Sequence, residues 1–267
     1  MRILKRLIPN NLRQKLRQIL VYWRQTPLYR NRFVSLGGRM NGYRIQGGLL
    51  PGFLDGTYEN DLCEIIEKYL KPGMTCADVG AHVGYMTLLM ASRVGREGRV
   101  FAFEAYPSNA AYIVKNAATN GLSQCVIVEN KAVSDGKDSV VKLRFGRDRS
   151  TAEWNIARDR HHQGIPVQAL SLDGYFEGAS RLDFIKMDIE GAEEFALTGM
   201  AHVLKVLRPV MCIEFHHEAA WAQRKILLQA NYVLYNIQKR EWVTANESAM
   251  VYHILAVPSE KRATIVL

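Results

Sequence analysis

Short apolar runs alternate with helical patterns from residue 75 onward, and this alternation constrains the fold more than any other feature of the chain. The apolar runs occupy residues 75–80, 99–104, 125–133, 182–188, 210–215, 232–237 and 251–257. Helical patterns cover residues 84–94, 108–120, 191–205 and 218–230. Near-continuous apolar strands joined by helices are typical of a parallel sheet covered on both faces. We therefore predict an α/β fold with a seven-stranded, mostly parallel sheet.

The last two apolar runs have a shorter connection than the others. Only residues 238–250 separate them, and so short a connection joins antiparallel strands more readily than parallel ones. The sheet is therefore predicted to end in an antiparallel edge pair. A further amphipathic helix is predicted over residues 55–70, ahead of the first strand.

The positive charge of the chain is concentrated in its first part. The formal net charge is +9, and residues 1–54 hold eleven Lys or Arg and no Asp or Glu. The remaining residues hold 24 basic and 26 acidic side chains. We therefore divide the chain into a basic N-terminal extension, residues 1–54, with a helix predicted over 11–24, and one nearly neutral domain, residues 55–267.

The basic extension has three interpretations. Residues 1–44 could form a membrane-surface element, with its cations near anionic lipid and Trp23 as an anchor. The extension could also serve as a nucleic-acid arm, or its helix could pack on the domain. Packing or membrane contact is favoured over RNA binding because the sequence contains no RNA-binding module.

Residues 137–170 are polar and Arg-rich, and they are predicted to form an insertion on the substrate side, over the edge of the sheet. They carry Trp154 and five arginines, Arg144, Arg147, Arg149, Arg158 and Arg160. An indole can stack on a sugar ring, and arginines can bind a phosphate or a carboxylate. The insertion would therefore suit an anionic glycoconjugate or a nucleotide-linked sugar, and a solvated polar loop is an equal alternative.

The sequence favours a protein of the cytoplasm. No window reaches the roughly 18 apolar residues that a membrane span needs, and no cleavage-site pattern follows the basic N-terminus. The four cysteines, Cys63, Cys76, Cys125 and Cys212, are scattered without metal-ligand spacing. This is expected of reduced thiols in a core. We expect a cytoplasmic protein, with peripheral membrane contact as an alternative.

Glycines and acids follow the first two predicted strands. Asp78 is followed by Gly80 and Gly84, which permit a tight turn and a close approach of backbone to a ligand. Their spacing differs from the GxGxxG of a dinucleotide site, and Asp78 suits a cationic ligand better than a phosphate. Glu104 ends the second strand, where an acid can bind both hydroxyls of a ribose. Together these residues predict a nucleotide-type site.

The third strand ends in VENKAVSD, which places Glu129, Asn130 and Ser134 near the expected adenine edge. The order of these glycines and acids along successive strands resembles that of class I S-adenosylmethionine-dependent methyltransferases.

Residues 184–193, FIKMDIEGAE, make the resemblance more specific. Lys-x-Asp-x-Glu-Gly-x-Glu at the fourth strand, with Glu-x-His at the fifth, resembles the FkbM-type methyltransferases. The match runs from about residue 56 to about residue 217 and includes GTYEND upstream and NGL after the second helix. It implies a Rossmann-like fold, S-adenosyl-L-methionine as the cofactor, and O-methylation of a hydroxyl, commonly on a sugar, a glycoconjugate or a glycosylated natural product.

The resemblance also supplies the predicted cofactor-binding residues. They are Glu59, Asp78, Gly80, His82, Gly84, Glu104, Asn130 and Ser134.

Period-two spacing brings the predicted catalytic residues to one edge of the sheet. Lys186 and Asp188 share one face of their strand, and Glu214 and His216 share one face of theirs. Both strands end at the carboxyl edge, where ligands of open α/β sheets bind. His216 is a natural general base because its ordinary pKa is near neutrality, and Asp188 is the alternative. Glu190 either joins the site or stabilises the start of the following helix.

The neighbouring residues are predicted to stay outside the chemistry. Glu193 and Glu194 are expected to be solvated on the helix, and His217 should face away from His216.

A metal-assisted mechanism is a weaker alternative. Asp188, Glu190, Glu214 and His216 could bind Mg²⁺ and so polarise a sugar diol. The positive charge of Lys186 argues against this, and no metal is predicted. The acceptor is expected to be a sugar-containing or other hydroxylated small molecule. The alternatives are an RNA methyltransferase guided by the basic extension and an inactive nucleotide-binding domain.

Overall fold

The computed structural model of the chain describes residues 31–50, 52–145, 154–157, 164–244 and 249–265, with the backbone alone for 144–145 and 154–157. The predicted helix over residues 11–24 and Arg147, Arg149, Arg158 and Arg160 lie outside these ranges. The chain divides into two compact units, Met1–Asn60 and Asp61–Leu267.

The first unit contains a short antiparallel strand pair. Strand β1 is Val34–Ser35 and strand β2 is Arg44–Ile45, and Val34 is paired with Ile45. A 3₁₀ turn, Gly38–Met40, lies between them. Among the residues of this unit that the structure describes, the buried apolar side chains are Leu36, Met40, Ile45, Leu49 and Phe53.

The second unit is an α/β domain. Its strands are β3 (Thr75–Val79), β4 (Arg99–Phe103), β5 (Val126–Glu129), β6 (Ala132–Val133), β7 (Val140–Phe145), β8 (Trp154–Ala157), β9 (Ile165–Leu170), β10 (Phe184–Met187), β11 (Val210–Glu214), β12 (Tyr232–Asn236), β13 (Glu241–Trp242) and β14 (His253–Pro258). Its α-helices are α1 (Asn60–Tyr69), α2 (Tyr85–Val94), α3 (Pro107–Thr119), α4 (Leu172–Tyr175), α5 (Glu193–Thr198), α6 (Glu218–Ala222) and α7 (Arg224–Gln229). A π-helical segment, Val203–Leu207, and a 3₁₀ helix, Ser259–Thr264, complete the described elements.

The central sheet has the order β13-β12-β14-β11-β10-β3-β4-β5. Strands β11, β10, β3, β4 and β5 are parallel, while β12, β13 and β14 are antiparallel to their neighbours. The Rossmann-like, mostly parallel sheet with its antiparallel edge is thus confirmed. All seven predicted strands contribute to this sheet, and the short strand β13 is an eighth that the pattern did not predict.

The order in which successive parallel strands are added to the sheet reverses beside β3. Strands β4 and β5 follow on one side of β3, and the chain then returns to place β10 and β11 on the other side. Ligands of open α/β sheets bind at the carboxyl ends of the strands beside such a reversal. The register also pairs Lys186 of β10 with Asp78 of β3, which brings two charged side chains together at this point.

A buried apolar cluster fills the space between the sheet and its covering helices. Ile185 and Met187 of β10 and Met211 and Ile213 of β11 belong to it, together with Trp221 of α6. Burial of this apolar surface is the main stabilising contribution to such a domain. The prediction of buried free thiols is confirmed, since all four cysteines are buried and free.

The described strands within residues 137–170, β7, β8 and β9, belong to a second sheet. Its order is β6-β9-β7-β8, and Ala132, Val141, Leu143 and Val167 form a small buried cluster within it. The predicted strand over 125–133 is therefore wrong as one element: it ends at Glu129, and Ala132–Val133 pairs with β9 instead. The predicted contact of this insertion with substrate stays a prediction.

The predicted helix over 191–205 is also wrong as one element. Helix α5 ends at Thr198. The next residue, Gly199, packs so closely against the backbone at Ser134 that an added Cβ would be 2.3 Å from the Ser134 carbonyl oxygen. The chain then enters the π-helical segment. The Asp173 carboxylate accepts hydrogen bonds from the N–H groups of His202 and Val203 at 3.0 and 2.8 Å, satisfying donors that a new helix start leaves free.

Two other helix boundaries differ from the prediction. The helix predicted from residue 55 begins at Asn60. The helix predicted over 218–230 is interrupted at Gln223, which separates α6 from α7. Within the described ranges, no helix is both long and apolar enough to cross a membrane.

Candidate active site

A glycine turn joins β3 to α2, and it contacts the carboxyl ends of the neighbouring strands β4 and β10. Gly80 has φ of +80°, and a Cβ added there would lie 1.7 Å from the Asp188 carbonyl oxygen. The N–H groups of Gly80 and Ala81 donate to the Phe103 carbonyl at 3.0 and 3.1 Å. Gly84, with φ of +90°, precedes the first residue of α2. The glycines therefore allow β3, β4 and β10 to approach closely at their carboxyl ends.

Glu104 follows β4 and is held by backbone donors. Its Oε2 accepts from the His82 N–H at 2.7 Å, and its Oε1 accepts from the Tyr106 N–H at 2.8 Å. The side-chain amide of Asn130 donates to the carbonyls of Glu104 and Ala105 at 2.8 and 3.1 Å. The carboxyl group is thereby fixed in one orientation at the edge of the sheet.

Burial dominates the acidity of Glu104, which is only 7% exposed. Burial raises the pKa of its carboxyl to about 7, although the hydrogen bonds from Tyr106 and His82 act in the opposite direction. Each carboxylate oxygen accepts one backbone hydrogen bond and retains capacity for another. Two adjacent oxygens with this capacity fit the two hydroxyls of a ribose.

Asp78, at the end of β3, is completely buried. Its Oδ2 accepts from the Thr87 hydroxyl of α2 at 2.5 Å, and its Oδ1 lies 3.8 Å from Lys186 Nζ. Burial raises the pKa of Asp78, while Lys186 and then Thr87 oppose the rise. The cationic partner of Asp78 in the structure is therefore the protein's own lysine.

Lys186 connects Asp78 to the reaction edge. Its Nζ donates to the Gly80 carbonyl at 3.2 Å and to Asp188 Oδ2 at 3.3 Å. Lys186 is only 5% exposed. A buried ammonium is strongly disfavoured without such partners, so Lys186 and Asp188 hold each other in place.

Four carboxylates surround the imidazole of His216. Nδ1 lies 2.8 Å from Glu193 Oε1. Nε2 lies 3.6 Å from Asp188 Oδ1, 3.3 Å from Glu190 Oε2 and 3.4 Å from Glu214 Oε1. The structure thus brings together the predicted catalytic residues at the carboxyl ends of β10 and β11.

The charges of this cluster favour the protonated imidazole. Burial lowers the pKa of His216, but the hydrogen bond and charge of Glu193, followed by the charges of Asp188 and Glu190, outweigh it and raise the pKa to about 9. Burial would raise the pKa of Glu214, yet the hydrogen bond and charge of His253, followed by the charge of His216, hold it below its ordinary value.

Two further residues lie at the beginning of the antiparallel strand β14: His253 is its first residue and Tyr252 immediately precedes it. His253 is paired with Glu214 across the sheet, and its Nε2 lies 2.8 Å from Glu214 Oε2. Tyr252, 39% exposed, places its ring 5.7 Å from that of His216. Sequence reasoning missed both, because their proximity depends on strand register. Their place at the start of the last apolar run was the available signal.

Glu193 corrects another expectation. It was predicted to be solvated, but it is 0% exposed and contacts His216. The error follows from the helix boundary: α5 begins at Glu193 itself, after the turn at Gly191. His217 is directed elsewhere, since its Nδ1 accepts from the Ala220 N–H at 3.1 Å and its Nε2 lies 3.0 Å from the Gly191 carbonyl.

Some predicted cofactor residues have other described contacts. Glu129 accepts from the Tyr175 hydroxyl at 3.0 Å, and the Ser134 N–H donates to the Leu170 carbonyl at 2.8 Å. Glu59 belongs to the first unit and has φ of +41°. The assignment of Glu59, Ser134 and the other predicted residues to cofactor binding stays a prediction.

The geometry also permits a comparison with metal sites. Ligand atoms of Asp188, Glu214 and His216 lie within 4.8 Å of one another. A histidine ligand must be neutral, whereas the surroundings of His216 favour its cation. Lys186 places a second positive charge against Asp188. The chemistry of the donor set therefore fits a metal ion poorly.

The glycine turn after β3, the buried acid after β4 and the charged cluster beside the reversal of strand order are the features expected of an S-adenosylmethionine-dependent methyltransferase domain. The model of the methyltransferase FkbM domain matches residues 78–235, more than half of the chain. The chain therefore belongs to the FkbM methyltransferase family. S-adenosyl-L-methionine is accordingly the cofactor of this domain.

Individual relatives match shorter parts. Protein-L-isoaspartate O-methyltransferase 1 of Arabidopsis thaliana is 43% identical over 60 residues, covering 22% of this chain and 26% of that protein. Protein-L-isoaspartate O-methyltransferase of Pyrobaculum arsenaticum is 32% identical over 119 residues, covering 43% and 55%. The chain thus spans about a quarter to about half of these relatives.

Solved structures to which the chain is similar include a methyltransferase FkbM from Methylobacillus flagellatus, with 15% identity and a TM-score of 0.46 over 73% of this chain and 50% of that one. Fibrillarin from Aeropyrum pernix, with natively bound S-adenosyl-L-methionine, has 12% identity and a TM-score of 0.43 over 73% of each chain.

Proposed function

We propose that the protein is an S-adenosylmethionine-dependent O-methyltransferase that acts on a hydroxyl of a sugar, a glycoconjugate or another polyol. The observation that carries this proposal is the cluster of Asp188, Glu190, Glu214 and His216 beside Glu104 and the glycine turn. Carboxylates accept hydrogen bonds from hydroxyl groups, and two or more of them can orient a polyol.

The cofactor-binding part of the proposal rests on two features. Glu104 would accept hydrogen bonds from the ribose hydroxyls. Gly80 and Gly84 would let the backbone approach the donor, whose contribution is an activated methyl group on a sulfonium. The residues of the chain then need mainly to place the acceptor oxygen in line with that methyl carbon.

Asp188 is the proposed proton acceptor. The new carbon–oxygen bond forms as the carbon–sulfur bond breaks, and the hydroxyl proton passes to the Asp188 carboxylate. Lys186 holds Asp188 in position at 3.3 Å. His216 is less suited to this role than its ordinary pKa suggests, because both of its ring nitrogens face carboxylates.

The same charges argue against RNA as the acceptor. Polyanions bind through Lys and Arg that neutralise their phosphates, whereas acidic groups predominate at this edge of the sheet. We further propose that the protein works in the cytoplasm, with peripheral membrane contact through residues 1–44.

Product formation with defined acceptors tests the activity. Methyl glycosides of neutral, amino and acidic sugars would be incubated with S-adenosyl-L-methionine, and S-adenosylhomocysteine release and acceptor mass would be measured. A product of a neutral glycoside that is stable to alkali indicates an ether, because such an acceptor has no amino group to methylate. Methylation confined to the acidic sugar, in a product labile to alkali, indicates a carboxyl ester and contradicts hydroxyl transfer. Binding of S-adenosyl-L-methionine in calorimetry without transfer to any acceptor would instead support an inactive nucleotide-binding domain, and absence of binding would contradict the cofactor-binding part of the proposal.

Matched variants test the role of Asp188. Asp188→Asn removes the proton acceptor while preserving size, and turnover should fall by about a hundredfold or more. Glu218→Gln changes an exposed carboxylate at the start of α6 and should leave turnover unchanged. Equal turnover in Asp188→Asn and the unmodified protein would remove Asp188 from the mechanism.

A further inference from the structure

Glu193 occupies an unusual position for an acidic helix residue. It is the first residue of α5 and is completely buried. Its Oε1 accepts from the Gly191 N–H at 3.0 Å and lies 2.8 Å from His216 Nδ1. A buried carboxylate is costly unless hydrogen bonds and opposite charge compensate for it. The contact with His216 supplies that opposite charge.

The turn before α5 fixes this contact from both sides. Gly191 has φ of +96°, a conformation that glycine adopts without steric cost. Its N–H donates to Glu193 and its carbonyl lies against His217 Nε2 at 3.0 Å. The Glu193 carboxylate is therefore held by the backbone as well as by the imidazole.

The other ring nitrogen of His216 has a similar environment. Nε2 faces oxygen atoms of Asp188, Glu190 and Glu214 at 3.3 to 3.6 Å. Ionised carboxylates only accept hydrogen bonds. An imidazole with such acceptors at both nitrogens is satisfied when both nitrogens carry hydrogen.

We infer that Glu193 is a positioning residue: by binding Nδ1, it holds His216 as an imidazolium whose Nε2–H is directed at Asp188, Glu190 and Glu214. Only the role of His216 in methyl transfer rests on the proposed function; its protonation state and its contact with Glu193 do not. His216 then serves as a fixed cation and hydrogen-bond donor, and the proton of the acceptor goes to a carboxylate.

The surrounding charges agree with this assignment. Lys186 lies beside Asp188, and His253 lies beside Glu214 on the opposite side of the cluster. The Tyr252 ring packs against the imidazole edge. The pKa of His216, raised to about 9 against the effect of burial, has the direction that this geometry requires. The cation also reduces repulsion among the carboxylates that converge on Nε2.

Nuclear magnetic resonance of the free protein tests the inference without donor or acceptor. Long-range correlations between ring protons and nitrogens distinguish an imidazolium from either neutral tautomer, and the signals of His216 are assigned by their loss in His216→Gln. We expect an imidazolium at neutral pH that titrates near pH 9. A neutral tautomer, or titration at or below the ordinary value of about 6.5, in the unmodified protein overturns the inference.

Matched variants identify the group that holds His216 in its protonated form. Glu193→Gln keeps the size of the side chain and removes its charge, so the titration should move toward about 6.5. Glu194→Gln changes the adjacent, partly exposed residue of the same helix and should leave the titration in place. An unchanged titration in folded Glu193→Gln would assign the effect to other groups.

Should Glu193→Gln fail to fold, the titration of the unmodified protein still decides whether His216 is a cation. Glu193→Asp then identifies the anchor, since it keeps the charge but shortens the side chain. It should retain the imidazolium and shift its Nδ1 resonance, and an unmoved resonance would contradict the contact. Because no methyl transfer is measured, failure of this inference and failure of the proposed activity are separable.

Discussion

At the scale of single residues, the close approach at Gly80 gives the most specific steric prediction. Gly80→Ala should lower the free energy of unfolding by about 3 kcal/mol or more, because the added methyl overlaps backbone and φ is positive. Gly121→Ala provides the control: φ is +67°, but an added Cβ meets nothing within 4 Å. It should cost only about 1–2 kcal/mol. Urea denaturation measures both, and equal costs would contradict the predicted overlap.

Glu104 gives a prediction about cofactor affinity and its pH dependence. Glu104→Gln should weaken S-adenosyl-L-methionine binding by about tenfold or more, since hydrogen bonds to a charged acceptor are lost. In the unmodified protein, affinity should fall as the pH drops through about 7, because the carboxyl becomes protonated. Calorimetry across this range measures both effects.

Glu97→Gln alters an exposed carboxylate and serves as the control for Glu104. Its affinity and pH dependence should match those of the unmodified protein. If Glu104→Gln retained the same affinity and the same dependence on pH while remaining folded, Glu104 would not be the ribose acceptor.

The site residues that the sequence predicted are placed by the geometry of a single strand, whereas those it did not predict are placed by a turn or by pairing between strands. Lys186 and Asp188 follow from the alternation of side chains along a single strand. Glu193 was misjudged because its burial depends on where the turn at Gly191 ends, and helix boundaries are poorly encoded by periodicity. Tyr252 reaches the site only through the antiparallel register of β14 against β11.

At the scale of elements, the broken helix between residues 193 and 207 depends on Asp173. Asp173→Ala should lower the free energy of unfolding by about 1–2 kcal/mol, since the N–H groups of His202 and Val203 lose a charged acceptor. Glu177→Ala, at an exposed position just after α4, should have little effect. Similar losses in the two variants would show that capping by Asp173 contributes nothing specific.

The strands were easier to predict than the helices for a reason visible in the sheet. A strand buried on both faces needs a run of apolar residues, and the runs around Phe184 and Val210 satisfy this without reference to any other part of the chain. The end of α5 instead depends on the approach of Gly199 to Ser134. Such long-range contacts leave no periodic pattern in the sequence.

For the molecule as a whole, the charged cluster predicts a pH dependence of stability. The pKa of His216 is about 9 in the folded protein and has an ordinary value of 6.5. Its contribution is fully present below about pH 6.5 and is lost as the pH rises through about 9. The free energy of unfolding should therefore fall across this window, by at most about 1.4 kcal/mol per pH unit for one proton.

Urea denaturation at several pH values measures this slope. His216→Gln should remove it, whereas His202→Gln, at an exposed position, should preserve it. A flat profile in the unmodified protein, or an unchanged slope in His216→Gln, would show that His216 does not bind its proton more tightly in the folded state.

The separation of charge between the two parts of the chain predicts an association with anionic membranes. Residues 1–30 carry eight Lys or Arg and no acid, and each cation near anionic lipid contributes about 1 kcal/mol. The full chain should sediment with vesicles containing phosphatidylglycerol, and added salt should release it. Deleting residues 1–30 should abolish sedimentation while S-adenosyl-L-methionine affinity is retained, because the family match begins at residue 78.

Replacing the eight basic residues with Gln separates charge from length in this experiment. The substituted chain should behave like the deletion variant. Vesicles of neutral phosphatidylcholine should retain neither the full chain nor the substituted chain. Vesicle binding that survives the deletion would contradict membrane contact through these residues. A fall in melting temperature on deletion, without vesicle binding by the full chain, would favour packing on the domain. Salt-sensitive retention of RNA that the deletion removes would instead favour the nucleic-acid arm.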